Sequence, residues 1–178
     1  MSLPADCTCG TCGKTHAGVP FSFAADFPDM YANLAAEARE ARAVIGSDQC
    51  IVDSQWFFVR GILEIPIVGK DVPFVWGLWA SVLQDTYEEI SDCWELKGRE
   101  KICGPFKGRL ANSLSIYPET LNLKIRIVLQ PVGVRPVFIL EDAEHPLAIE
   151  QQNGITEQEA MRIASLLLHL EGRQLGHS

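Results

Sequence analysis

The sequence predicts a single α+β domain in which helices flank a mainly antiparallel sheet. Apolar residues alternate through several segments in the middle of the chain, and helical spacing marks a segment near each end. The predicted strands and helices do not alternate regularly, which favours an α+β arrangement. With 178 residues, 47% hydrophobic and 21% charged, the chain can bury one core and falls outside the disordered class. No repeat or Ser/Gly linker divides it, so residues 1–178 are predicted to form one domain.

The first predicted helix begins near Asp29, directly after Pro28. Small and apolar residues at helical spacing form one face: Met30, Leu34, Ala38, Ala41 and Ile45. Gly46 follows this face and is predicted to end the helix. Because much of the face is alanine, we expect it to bury little apolar area.

Two long strands are predicted to follow. Residues 56–68 carry apolar side chains or glycine at every odd position, which gives the strand one continuous apolar face. Residues 72–83 are apolar on both faces, as in a central strand that is covered on both sides. The Gly-Lys-Asp sequence between the two segments predicts a hairpin.

Two shorter strands are predicted further along the chain. Residues 123–129 alternate between apolar and basic side chains, and residues 134–140 follow after a Pro-Val-Gly turn. Proline cannot donate a backbone hydrogen bond to a neighbouring strand. Pro136 therefore predicts that the last strand lies at an edge of the sheet.

The later helices differ in the strength of their signals. Residues 86–96 are acidic and are predicted to form a short helix. Thr156 and Glu159 have the spacing of a capping box, which predicts that the last helix begins there. Its apolar face is formed by Ala160, Ile163, Ala164 and Leu167. Gly172 is predicted to end it.

Charge and hydropathy exclude two classes of partner. Lys and Arg number 15 against 23 Asp and Glu, a formal net charge of −8, whereas a duplex-binding protein carries the opposite sign. The longest apolar stretch, residues 72–83, is too short to span a bilayer. We therefore expect no nucleic-acid partner, no membrane partner and a cytoplasmic location. In that compartment thiols stay reduced and serve as metal ligands or core residues.

The sharpest local signal is a CxxC pair, Cys9 and Cys12, followed by Gly13. Such a turn presents two thiolates to one metal ion, and a tetrahedral zinc site needs two further ligands. His16 lies four residues after Cys12, and Cys50 lies where the first helix gives way to a strand. The predicted ligand set of a structural zinc is Cys9, Cys12, His16 and Cys50. It makes residues 7–50 a zinc-knuckle-like edge of the domain.

Alternatives to this zinc site remain open. Cys7 is either a spare thiol or a substitute ligand, and the whole cluster could be a reduced N-terminal segment without metal. A redox CxxC is disfavoured because no strand is predicted before Cys9. Cys93 and Cys103 are predicted to be structural thiols, and six cysteines are too few for a disulfide scaffold.

Two further sites are weak candidates. His145 follows three acidic residues and could act as an acid or base at a pocket rimmed by Tyr117, but a histidine on a turn that faces solvent is the preferred interpretation. Arg60 and Glu64 share a strand face with aromatic residues. That face is either a recognition groove or a surface that the first helix covers, with the charges paired to neighbouring strands.

The assembled motifs resemble a bacterial family known as domain of unknown function 2199. The matching stretches are Cys9-x2-Cys12-Gly13-x2-His16, Ser47-Asp48-x-Cys50, residues 56–66 (WFFVRGILEIP), residues 74–80 (FVWGLWA), residues 112–114 (NSL), residues 117–124 (YPETLNLK) and residues 145–151 (HPLAIEQ). The resemblance implies a single-domain protein of bacterial, cytoplasmic origin, and it supplies no activity.

Two functions follow as hypotheses. The first is a non-enzymatic domain, stabilised by structural zinc, that binds another protein, a basic one given the acidic charge. The alternative is an enzyme in which a metal, or a pocket with His145 and Tyr117, acts on a small molecule. The P-loop, dinucleotide, GxSxG and HExxH motifs are all missing from the sequence, which disfavours nucleotide-dependent and standard hydrolase classes.

Overall fold

The structure is a computed structural model that describes the backbone of residues 7–8, 15–16 and 20–174 and the side chains of residues 20–170. The described residues form ten strands and six helices. The strands are β1 (Cys7–Thr8), β2 (Thr15–His16), β3 (Ser22–Ala24), β4 (Ala43–Ile45), β5 (Gln49–Val52), β6 (Trp56–Ile65), β7 (Phe74–Val82), β8 (Phe106–Leu110), β9 (Lys124–Val128) and β10 (Val137–Leu140). The helices are α1 (Asp29–Ala32), α2 (Ala36–Arg42), α3 (Gln84–Asp92), α4 (Arg99–Ile102), α5 (Pro146–Asn153) and α6 (Glu157–Gln174).

Five strands close into a barrel. Strands β6 to β10 follow one another in this sheet, and each pairs antiparallel with its neighbour. The last strand, β10, then pairs in parallel with β6 and closes the barrel. The closing contact is short: Val137 lies opposite Ile62, and the Ile62 N–H donates to the Pro136 carbonyl at 2.8 Å. Strands β5 and β4 extend the sheet from the far end of β6, and β3 pairs in parallel with β7. The predicted α+β class and antiparallel sheet are confirmed, and the closure was not predicted.

The barrel core is the larger of two apolar clusters. Alternate residues of β6, including Val59, Leu63 and Ile65, contribute side chains to it, as the odd positions of the sequence predicted. Helices α3, α5 and α6 add apolar side chains to the same cluster. At Gly61 the barrel strands approach so closely that a Cβ atom would lie 2.4 Å from the Phe138 ring. Only glycine fits there without displacing that ring.

The outer cluster lies on the other face of the long strands. Its buried members are Cys50, Val52, Phe58, Trp79 and Ala111. Partly buried residues of the α1–β4 segment pack against it, Tyr31 and Leu34 among them. The two tryptophans of β7 divide between the clusters, Trp76 in the barrel core and Trp79 in the outer cluster. Their predicted placement on opposite faces of a central strand is confirmed.

The single first helix predicted from residue 29 to Gly46 is wrong. The segment breaks after α1, resumes as α2, and ends in strand β4, so Ile45 is extended and pairs with Cys50. Helical spacing alone could not distinguish one helix from two. The alanine-rich face buries too little area to hold a long helix against the sheet.

Two other predicted boundaries are corrected. Strand β10 is not an edge, because it pairs with β9 on one side and with β6 on the other. Pro136 precedes the strand and contributes its carbonyl, which needs no N–H. Helix α6 starts as predicted, with the Glu159 N–H donating to Thr156 Oγ1 at 3.1 Å, but it continues past Gly172 to Gln174.

The predicted structural thiols Cys93 and Cys103 are joined as a disulfide, with Cα atoms 6.6 Å apart. The expectation that both stay reduced is therefore not met in this structure. Between them lies Arg99, which is buried and donates to the carbonyls of Gln130 at 2.6 Å and Val134 at 2.8 Å. The disulfide and this arginine both anchor the α3–α4 connection, and Arg99 ties it to the turn between β9 and β10. Sequence patterns gave no signal for either feature.

Candidate functional site

A cleft of about 560 Å³ opens on the outer face of the barrel, between α1 and the strands β6, β7 and β8. Its volume falls in the range of small-molecule and side-chain binding sites. The residues that line it are Asp29, Met30, Asn33, Leu34, Trp56, Phe58, Ser81, Leu110, Ala111, Leu121 and Asn122. Among the described residues, the short helices α1 and α2 cover only part of the apolar outer face, and the cleft lies where this cover ends.

The walls of the cleft are largely apolar. Phe58 and Leu110 are buried, whereas Trp56 is 49% exposed and Met30 is 37% exposed. A half-exposed tryptophan beside an apolar cleft is a typical anchor for a partner, because it offers a large apolar surface with little conformational entropy to lose. The sequence analysis offered two alternatives for this strand face, a covered surface or a groove. Phe58 is buried, as in the first alternative, and Trp56 is half-exposed on the cleft, as in the second.

A buried amide holds α1 in place over the outer cluster. Asn112 accepts from the Trp79 backbone N–H at 2.8 Å and donates to the Phe27 carbonyl at 2.8 Å and to Asp29 Oδ1 at 3.0 Å. The second oxygen of Asp29 accepts from the Ser113 N–H at 2.8 Å. These contacts position Asp29 at the first turn of α1, on the wall of the cleft.

Arg60 supports the outer cluster next to the cleft. Its guanidinium lies 5.6 Å from the Trp79 ring centroid, and it donates to the Ala25 carbonyl at 2.9 Å. Burial, and then repulsion from Arg135, lowers the pKa of Arg60. The sequence analysis offered an ion pair between Glu64 and a neighbouring strand. Glu64 is exposed, and none of the ion pairs among the described residues includes it. Arg60 is therefore a packing residue of this face.

Asp48 forms an ion pair with Arg135, the second arginine of this region. Arg135 donates to it at 2.6 Å. Burial alone would raise the pKa of Asp48, but hydrogen bonds from Ser47 and Arg135 hold it below the usual value. The carboxylate therefore stays ionised and paired at neutral pH.

The two weak catalytic candidates lie away from the lining of the cleft. The Tyr117 hydroxyl donates to Glu150 at 2.6 Å, and burial, followed by this carboxylate, raises its pKa far above the usual range. His145 caps helix α5, since its Nδ1 accepts from the Leu147 N–H at 3.1 Å. A phenol that holds its proton and a ring that caps a helix fit structural roles.

The predicted zinc ligands are described only in part. Strands β1 and β2 form a two-stranded sheet in which Cys7 lies opposite His16, while Cys9 and Cys12 fall outside the described residues. Cys50 is 1% exposed in the outer cluster, and burial raises the pKa of its thiol to about 11. Within residues 20–170 no group of three His, Cys, Asp or Glu side chains could hold a metal ion. The zinc set stays a prediction.

Comparison with known proteins supplies a family. The model of a family described as "Uncharacterized protein conserved in bacteria (DUF2199)" matches residues 8–155. The chain belongs to this family. The family resemblance noted in the sequence motifs is thereby confirmed, and it brings no activity to this member. Searches of the curated proteins and of the solved structures find no match. Among the helices that the structure describes, none is long and apolar enough to cross a membrane.

Asp29, now seen on the wall of the cleft, was assigned no functional role by sequence reasoning. It was noted only as the start of a helix, where acidic residues are common for electrostatic reasons. Asn112 entered the sequence analysis only as part of the NSL motif, and its partners Phe27 and Asp29 lie 85 and 83 residues away in sequence. The cleft results from contacts between distant segments, so no local pattern could reveal it.

Proposed function

We propose that this member of the family is a protein-binding module whose recognition surface is the cleft on the outer face of the barrel. The observation that carries the proposal is the half-exposed Trp56 beside an apolar wall. Natural interfaces concentrate their binding energy in a few such aromatic anchors, surrounded by contacts that exclude water.

The charge of the chain favours a basic partner. With a formal net charge of −8, the chain attracts cationic surfaces and repels acidic ones over distances of about one Debye length. Complementary charge speeds the encounter and suppresses wrong partners. Weaker association at high salt would support this part of the proposal.

We also propose that a structural zinc stabilises the N-terminal edge through Cys9, Cys12, His16 and Cys50. Support comes from the CxxC spacing and from the β1–β2 pairing, in which the backbone of His16 lies opposite Cys7, two residues before Cys9 in the sequence. Cys7 is the alternative fourth ligand, since it lies opposite His16 in that pairing.

Metal analysis tests the zinc site directly. Protein purified without chelator should contain one zinc per chain by mass spectrometry, and the Cys9→Ser, Cys12→Ser double variant should contain none. Separate Cys50→Ser and Cys7→Ser variants show which thiol is the fourth ligand. Metal-free wild type would overturn the zinc proposal and leave the binding proposal untouched.

Site-specific crosslinking tests the binding proposal. A photoreactive phenylalanine analogue is placed at Trp56 and, as a control, at Val44, which is 75% exposed on β4 and outside the cleft lining. We expect a discrete protein adduct from position 56 that position 44 does not give. Blocking the cleft with Leu121→Arg should abolish it. Identical adducts at both positions, or none at either, would contradict a protein-binding cleft.

We place the protein in the cytoplasm, in keeping with the free thiol of Cys50. The Cys93–Cys103 disulfide provides the test of this location. Thiols trapped by alkylation in intact cells should show this pair largely reduced if the compartment is reducing. A fully oxidised pair in cells would place the chain in an oxidising compartment instead.

A further inference from the structure

We propose that the cleft receives one basic side chain, arginine or lysine, from the protein partner. Its aliphatic stem packs against Trp56, and its cationic head reaches Asp29. This inference rests on the proposed function and adds the chemistry of the group that the cleft selects.

The first support is the charge of the cleft lining. Among the residues that the structure describes, eleven line the cleft, and Asp29 is the one ionisable side chain of those eleven. Its carboxylate accepts one hydrogen bond from the Asn112 amide and one from the Ser113 N–H, both neutral donors. A carboxylate offers about four acceptor sites, so capacity for further donors remains. None of the ion pairs among the described residues includes Asp29.

The second support is the apolar surface beside this carboxylate. Trp56 and Met30 are partly exposed on the cleft, and Leu121 lines it with them. Long basic side chains bury their methylene stems on such surfaces while the charged head stays with a polar partner. A cation over a tryptophan face gains additional electrostatic attraction. Arg60 over Trp79 and Arg99 over Trp94 show the same pairing elsewhere in this chain.

Other occupants fit less well. A wholly apolar segment would remove water from the Asp29 carboxylate and supply no compensating partner, which is costly for a charged group. An acidic segment meets repulsion from Asp29 and from the net charge of −8. A second copy of this chain carries the same excess of negative charge.

The test compares matched peptides on the wild-type chain. Acetyl-Ala-Leu-X-Leu-Ala-amide is titrated into isotopically labelled full-length protein, where X is arginine, lysine, citrulline or glutamate. Citrulline has nearly the shape of arginine without its charge. We expect the arginine and lysine peptides to shift the Trp56 indole N–H and the backbone amides of Ser81 and Asn122. The citrulline peptide should bind at least about fivefold more weakly, because charged hydrogen bonds are the stronger ones.

Variants locate the charge on the protein side. Asp29→Asn should reduce arginine binding to the level of citrulline, whereas Asp26→Asn, an exposed carboxylate outside the cleft lining, should leave it unchanged. If Asp29→Asn fails to fold because its contacts to Asn112 and Ser113 are altered, the peptide comparison on wild type still decides.

The outcomes separate this inference from the proposed function. Equal binding of arginine and citrulline peptides at the cleft overturns the selection of a cation, and the protein-binding cleft stands. Failure of the arginine and lysine peptides to shift any cleft resonance also overturns the inference. The proposed function is decided by the crosslinking experiment alone, and it falls if positions 56 and 44 give identical adducts or if neither gives one.

Discussion

The barrel core and the outer cluster are both apolar, yet they are enclosed in different ways. The barrel core is surrounded by five hydrogen-bonded strands, and helices α3, α5 and α6 pack onto the same cluster. The outer cluster has only one sheet face beneath it and is covered by the short, broken α1–β4 segment. One cluster is closed by backbone pairing, and the other is partly covered by short segments that side-chain hydrogen bonds hold in place.

This difference indicates where function can develop. A closed barrel satisfies its backbone hydrogen bonds internally and leaves no room for a partner. The incomplete cover of the outer cluster leaves a cleft, an exposed tryptophan and a carboxylate that belongs to none of the ion pairs among the described residues. In the function that we propose, the barrel core is the scaffold and the outer cluster presents the binding surface. Four measurements test this division, beginning with the largest effect.

Truncation in the barrel core should cost the most stability. Phe138 is fully buried against Gly61, so Phe138→Ala leaves a cavity that the paired strands cannot collapse into. We expect the free energy of unfolding to fall by about 3–5 kcal/mol in urea titrations. Phe27→Ala is the matched control, because Phe27 is 39% exposed next to the outer cover. Its loss should stay below about 1.5 kcal/mol. Equal losses would mean that the two regions are not distinct in stability.

Loss of the buried amide should detach the cover. Asn112→Ala leaves the Trp79 N–H and the Phe27 carbonyl without their partner, at an expected cost of about 2–3 kcal/mol. Hydrogen exchange should show faster exchange of the Trp79 and Asp29 amides, while the other amides of the barrel strands change little. Asn33→Ala removes the same side chain at an exposed cleft position and should cost under about 0.5 kcal/mol. Uniform acceleration across the barrel would contradict a separate cover.

Alkaline pH should weaken the outer cluster through Cys50. Burial raises the pKa of its thiol from 9.0 to about 11. Between these values the unfolded chain gives up the proton and the folded chain keeps it, so stability falls as the pH rises. We expect a loss of at most about 2 kcal/mol between about pH 8 and pH 11 in the metal-free protein, relative to metal-free Cys50→Ala. Unfolding curves with and without chelator provide the control, since a zinc-bound thiolate would remove this loss.

Removing the cleft anchor should hardly affect stability. Trp56 is 49% exposed, so Trp56→Ala forfeits limited burial and should lower the free energy of unfolding by less than about 1 kcal/mol. The same variant should lose binding of the arginine peptide in the nuclear magnetic resonance titration. A large loss of stability would place Trp56 in the scaffold and contradict its role as an exposed anchor.

The elements themselves were largely predictable because their signals are local. Alternation located β6 and β7 within a few residues, and the Gly-Lys-Asp sequence identified the hairpin between them. The capping box located the start of α6. The first helix was mispredicted since its alanine-rich periodicity fits one long helix as well as two short ones and a strand.

The site was less predictable because its parts come from distant segments. The mixed face of β6 suggested a groove among aromatic residues, and Trp56 does line a cleft. Asp29 lies on that cleft because Asn112 and Ser113, more than eighty residues later in the sequence, hydrogen-bond to its carboxylate. Likewise, the Cys93–Cys103 disulfide encloses a segment that contains Arg99. The side chain of Arg99 bonds to the carbonyl of Gln130, a residue distant in sequence.

The sequence by itself determined the α+β class, the long strands with their inward and outward faces, the last helix and the acidic net charge of the chain. Those properties depend on periodicity, capping and net charge, which act within a few residues or simply sum along the chain. Only the tertiary structure decided that five strands close into a barrel through the Ile62–Val137 pairing, and that a short cover leaves a cleft outside it. Closure and coverage depend on which distant segments meet, and packing and backbone pairing settle that together.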